Sequence, residues 1–312
     1  MKHAVLFYRR HEKIIVVVLI SLMVTLLVST WLIKDLREKE RLSKLAEEEK
    51  QMAFHLYDNT NQKYYKLSDH YEKALFENSL DLMKKKDFKG AISMVEKALE
   101  FNPRNRAYWY HHGNLKVSTL DFESAIKSFH QAGYSGGLTD KISRFVPIMK
   151  ERELNADEFK FIFDHLNGTP LKERILFCHG RTSESRKAHA EVVYAYLQHL
   201  NPDWVDRSFE YDSTERSLSI GGQGFSNLNG KDRGQTLLHL KLIHLSLRDT
   251  DVSQLQSLSP LPISSLDISG CPIHSVKWLR KVATLTKVIL GSGQMSEDEV
   301  GRIPSRIEVV IR

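Results

Sequence analysis

Only two cysteines, Cys178 and Cys271, occur in 312 residues. They form no CxxC pair, so the spacing of zinc sites and thioredoxin-like pairs is missing. Cys271 stands where a small buried residue fits and reads as a packed thiol. Clustered positive charge is scarce as well. The chain has 45 bases and 39 acids, of which residues 1–34 hold five and one, leaving 40 and 38 for the rest. Release of counterions from a polyphosphate needs a concentrated basic face, so no nucleic-acid partner is expected. Catalytic signatures are also absent: there is no GxSxG, no HExxH and no phosphate loop that opens a helix. The remaining candidates are Cys178 and His179 with His189, or the pair His111 and His112. A nucleophile and base must meet in space beside an orienting group, and helix neighbours point about 100° apart. The sequence therefore predicts no catalytic residue, no cofactor and no metal.

What the sequence does contain is a long apolar run. Residues 14–33, IIVVVLISLMVTLLVSTWLI, carry no charge. As a helix this run is about 30 Å long, the thickness of the hydrocarbon core. Trp31 stands near one end, where an interfacial aromatic belongs. A cleaved signal peptide would have a shorter apolar run and a small-residue cleavage site, and VSTWLIKDL offers none. The expectation is a retained single span in the inner (cytoplasmic) membrane, with residues 1–13 as a cytoplasmic tail. The basic tail orients the bulk of the chain into the periplasm or another extracytoplasmic space. Residues 34–70 are expected to be a helical stalk. Leu42, Leu45, Met52 and Leu56 recur there at heptad-like spacing, but Glu49 interrupts the seam, which favours a solvated stalk over a coiled coil.

From Glu72 a 34-residue period appears. Ser79 corresponds to Gly113, Ala91 to Ala125, Val95 to Phe129 and Ala98 to Ala132, with Leu75 and Trp109 at a large early position. This pattern resembles the tetratricopeptide repeat, whose paired helices need small residues where they approach. Residues 71–137 are read as two such units. Residues 138–207 are read as helical caps or degenerate repeats, with Pro147 at a small-residue position and Asn155 capping a helix with Glu158. The resemblance implies a concave peptide groove lined by Phe76, Leu80, Met83 and Lys84, then by Tyr110, Asn114, Val117 and Ser118.

A second period follows in residues 208–312. LSLRDTDVSQL (Leu245 to Leu255) and LDISGCPIHSV (Leu266 to Val276) place apolar residues at matching offsets. LSIGGQGFSNL from Leu218 and VILGSGQMSED from Val288 fit less closely. This resembles the leucine-rich repeat, in which each unit adds one short strand to a parallel sheet. Alternation points Leu245 and Leu247, or Leu266 and Ile268, inward. Small polar residues such as Thr250 or Cys271 would turn inward next and hold the neighbouring backbone. The terminal RIEVVIR is expected to close the sheet as a last strand. The resemblance implies a concave face carrying Ser219, Ser246, Asp267 and Ile289.

Together, the span, the helical repeats, the LNPDW connector and LSIGG…LDISGCPI resemble the tails of bacterial serine/threonine protein kinases. The kinase motifs themselves are missing, so kinase activity does not follow. The expected fold class is an α helical-repeat domain followed by an α/β leucine-rich-repeat solenoid, with one amino-terminal transmembrane helix. The expected function is a non-catalytic, membrane-anchored scaffold or receptor-like ectodomain in a bacterial envelope, binding a protein or peptide. Alternatives are a structural envelope component and a split regulatory partner of a separately encoded kinase.

Overall fold

The computed structural model describes residues 2–166, 170–230 and 236–312, with side chains from residue 14 onward. The bases of the expected cytoplasmic tail (1–13), and positions 167–169 of the expected capping segment, lie outside the described side chains. Contacts divide the chain into two units, residues 1–70 and 71–312.

The first unit is a single helix, part of α1 (Lys2–Lys84). It contains a stretch long and apolar enough to cross a membrane, and none of that stretch is buried within the protein. The helix continues without interruption past residue 33, the expected end of the span, into the expected helical stalk. No glycine or proline occurs before Gly90, and residues 35–56 are mostly strong helix formers. Ion pairs one turn apart, Lys39–Asp35 at 2.9 Å and Lys44–Glu40 at 3.2 Å, add a few tenths of a kcal/mol each.

The second unit begins with the last turns of α1 and continues through α2 (Phe88–Phe101), α3 (Arg106–Ser118) and α4 (Phe122–Gln131). One turn geometry recurs after 34 residues. Lys86 and Leu120 both take left-handed φ values, 63° and 62°. The following Asp87 and Asp121 cap α2 and α4 by accepting from the amides of Gly90 and Ser124. Phe88 and Phe122, next in line, are buried. The small-residue column is equally well defined: Ser79, Ala91 and Ala125 are fully buried. A Cβ on Gly113 would lie 2.7 Å from the Phe129 ring, so α3 and α4 approach as closely as they do only because that side chain is absent.

Beyond α4 the regularity fails. The segment around Pro147, expected to be helical, forms two short helices, α5 (Leu138–Ser143) and α6 (Phe145–Glu151). Proline has no amide to bond the carbonyl of residue 143, and its ring crowds that carbonyl, so the chain breaks there. Then come α7 (Ala156–His165), α8 (Leu171–Thr182) and α9 (Arg186–Leu200). The Asn155–Glu158 capping box forms as expected, with both reciprocal bonds present.

A six-stranded mixed sheet follows: β1 (Ser208–Asp212), β2 (Ser217–Gly221), β3 (His244–Ser246), β4 (Ser265–Asp267), β5 (Lys287–Leu290) and β6 (Glu308–Ile311), in sequential order. β1 runs antiparallel to β2, and β2 to β6 are parallel. Leu218, Leu245, Leu266, Val288 and Val309 are Cα partners across those five strands. Behind them the small polar positions hold backbone. Thr250 Oγ1 and Cys271 Sγ both donate to the Leu247 carbonyl, at 2.7 and 2.9 Å. One strand later Gln294 Nε2 donates to the carbonyls of Ile268 and Cys271.

The LNPDW connector fastens the sheet to α9. Asn201 Oδ1 accepts from the amides of Ser226 and Asn227, while its amide nitrogen donates to the Leu197 and Asn227 carbonyls. Trp204 is fully buried and donates to the Gly221 carbonyl at 2.8 Å. Gly222 and Gly224 have φ of 114° and 78°, and a Cβ on either would strike the backbone of Val205 or Asp203.

Candidate binding surfaces

The chain's own α8 packs against part of the helical face expected to form a groove. Cys178 belongs to the same core as Leu75, Phe88, Val95 and Leu115, and Phe177 packs against that core beside Phe88. Phe76 is half-buried, stacked on Tyr108 at 4.4 Å between ring centroids with His111 edge-on. Leu80 and Met83 are half-buried, and Lys84 is exposed and paired with Asp81. Val117 and Ser118 are fully buried, which overturns their place in a groove. Val117 joins the core with Phe122 and Ala125 of α4, and Ser118 Oγ donates to the Asn114 carbonyl. Tyr110 and Asn114 do share a cleft of about 350 Å³, with Phe129, Tyr134 and Leu171. A separate cleft of about 530 Å³, with a floor of Phe88, Leu120, Phe177 and Cys178, remains where α8 meets the two repeated turns. The eight expected groove residues are therefore not one surface.

The candidate nucleophile is held in an unfavourable state. Burial pushes the Cys178 thiol up to about 12, opposite to the depressed values of reactive thiols. His179 is engaged elsewhere, with Nδ1 3.3 Å from Nδ1 of His189. His239 lies beyond, its ring 6.0 Å from that of His189. Burial lowers His189 to about 3, and the neighbouring His179 and His239 add to the effect. The other pair is also divided. His111, lowered by burial to about 4, lies against Ser79, while His112 meets Ser128 at 2.8 Å and Glu96 at 3.2 Å.

The sheet presents a different picture. Ser219, Ser246, Asp267 and Ile289 are Cα partners across four strands and line one cleft of about 570 Å³. Ser219 and Ser246 are accessible, but Asp267 and Ile289 are buried rather than exposed. The Asp267 carboxylate accepts from Ser269 N at 3.0 Å and Ser269 Oγ at 2.6 Å and pairs with Arg312 at 3.1 Å. Among the contributors that escaped the sequence reading are His244 and, from the antiparallel strand β1, Glu210, Tyr211 and Asp212. The signal for β1 was the alternation of SFEYD before the turn STER. Asp212 accepts from the amides of Glu215 and Thr214 in that turn, which holds its carboxyl below the usual range. With Glu210 and Asp212 exposed at the rim, the accessible edge is acidic.

No protein-family model and no curated protein matches the chain.

Proposed function

We propose that the protein is a non-catalytic, membrane-anchored interaction module that takes a cationic protein or peptide segment on the open face of its sheet. Residues 14–33 act as a single inner-membrane span, with the amino terminus cytoplasmic and the helices and sheet in the extracytoplasmic space. Residues 71–137 are two tetratricopeptide-like units, a reading supported by the turn that recurs after 34 residues. Residues 208–312 are a leucine-rich-type domain, a reading supported by five parallel strands with small polar residues behind them. The observation that carries the function is the cleft over β1 to β5. It combines accessible Ser219, Ser246 and His244 with acidic Glu210 and Asp212. A lysine- or arginine-rich segment meets complementary charge there, which favours encounter and register over raw affinity.

The test is co-purification of the full chain in mild detergent. Glu210→Lys with Asp212→Lys is expected to release the partner, while Tyr110→Ala in the helical cleft leaves it bound. The opposite pattern would refute the assignment to the sheet.

A further inference from the structure

The cleft of about 530 Å³ between α8 and the two repeated turns takes no part in the proposed sheet interaction. Its size falls within the range of about 300–1,000 Å³ common to small-molecule sites. The floor is apolar, made by Phe88, Leu120, Phe177 and Cys178, whereas the rim is cationic. Lys86 and Lys89 come from the first turn and Arg181 from the end of α8. One acid, Asp87, stands among the lining residues, and its carboxylate accepts from the Gly90 amide at 3.0 Å. Lys89 and Arg181 are exposed, and neither pairs with a carboxylate among the described residues. Arg181 instead donates to the Lys86 carbonyl at 3.4 Å, and its guanidinium and the Lys86 ammonium share the Phe177 ring, 5.7 and 4.4 Å from the centroid. The His239 ring lies 5.1 Å from that of Phe177; burial lowers its pKa, and Arg181, Lys86 and Lys241 lower it further, as uncompensated positive charge would.

An extended peptide needs main-chain partners, and these turns have few to give. The amides of Lys86 and Asp87 bond the carbonyls of Met83 and Leu82, and those of Leu120 and Phe122 bond the carbonyls of Val117 and Leu120. The Lys86 carbonyl is taken by Arg181, and Thr182 Oγ1 donates to the Cys178 carbonyl. Recognition therefore falls to side chains, an apolar floor with a guanidinium and an ammonium beside it. That combination suits a molecule with an apolar body and one anionic head. A carboxylate matches the planar fork of Arg181, with Lys89 as a second point charge. Inorganic phosphate would leave the floor uncovered, and a neutral hydrocarbon would leave both cations unmatched.

We infer that this cleft binds a small organic carboxylate, its apolar body on Leu120 and Phe177 and its head on Arg181 and Lys89. The inference is independent of the sheet ligand and of the membrane reading. The probe is a fluorinated naphthoate, with the matching neutral naphthamide as its control. Each is titrated into the full chain in mild detergent and followed by the broadening of its fluorine NMR line, with protein-free detergent as the blank. The naphthoate is expected to bind more tightly than the amide by on the order of tenfold. Lys89→Glu with Arg181→Glu should abolish that preference, and Phe177→Ala should weaken both probes. Lys89→Gln with Arg181→Gln repeats the charge test with neutral side chains, and the urea midpoint of each variant shows that it is folded. Glu210→Lys with Asp212→Lys, on the sheet, should leave naphthoate binding unchanged. No broadening beyond the blank, equal binding of the two probes, or a preference that survives loss of both cations would overturn the inference.

Discussion

The helices of residues 71–200 and the sheet of residues 208–312 are both built from short recurring segments, yet one packs α8 against part of its own face and the other leaves its face open. In the helical region neighbours are held by side-chain packing and a few side-chain hydrogen bonds, such as Ser79 to the Ala91 carbonyl and His112 to Ser128, with no backbone ladder between them. A small residue at Ser79 or Gly113 permits a close approach but does not enforce the next one. After two units Pro147 splits a helix, and α8 settles against α3. In the sheet each strand is fixed to the last by backbone hydrogen bonds, from Leu247 N to Asp267 O and from Ile268 N to Ile289 O. Register is then maintained over five strands, and the outward side chains stay in line. A repeat kept by packing can drift, whereas one kept by a hydrogen-bond ladder cannot drift without breaking the ladder.

The sharpest way to break the contrast is at the joint. Trp204→Ala removes a fully buried ring that packs on Phe225 and Tyr194, at a cost of about 3–5 kcal/mol. Urea unfolding of the full chain in mild detergent should show sheet and helices losing structure together at a lower midpoint. Separate transitions would mean that the two regions are not coupled through this residue. Within the helices, Gly113→Ala should cost about 1–3 kcal/mol by forcing Phe129 aside. An unchanged midpoint would show that α3 and α4 are not tightly apposed.

The joint between the two regions should also be sensitive to acid. His189, His111, His179 and His239 all have folded pKa values below that of a free histidine. The unfolded chain therefore binds more protons, and stability is retained above about pH 6.5 and lost as the pH falls towards 4 and 3. Around His189 the facing histidines 179 and 239 oppose a further proton, Arg174 does the same for His111, and Glu153 alone works the other way, on His179. Arg181, Lys86 and Lys241 add to the depression at His239. His189→Gln should flatten the fall of the urea midpoint with acid; an equally steep fall would assign it elsewhere. The smallest effect is expected from Thr250→Val, which removes one bond to the Leu247 carbonyl at about 1 kcal/mol. A neutral result would mean that the ladder alone holds the register.

Much of the sheet was legible because its determinants are local. The starts at Leu218, Leu245, Leu266 and Val288 emerge from period-two apolar pairs and are the observed Cα partners. The failures are tertiary. Nothing near Val117 or Ser118 announces that α4 and α8 will enclose α3. Asp267 is covered by Arg312, 45 residues away. The hairpin of β1 was missed because its strand falls outside the repeat period, yet it supplies the two acids on which the proposed partner chemistry depends.

The account turns on which face meets the partner. A photo-crosslinking residue placed at Ser246, and separately at Tyr110, in the full chain in its native membrane tests this directly. An adduct at Ser246 that disappears with Glu210→Lys and Asp212→Lys, and no adduct at Tyr110, is the predicted result. An adduct at Tyr110, or one at Ser246 indifferent to those charges, would contradict it.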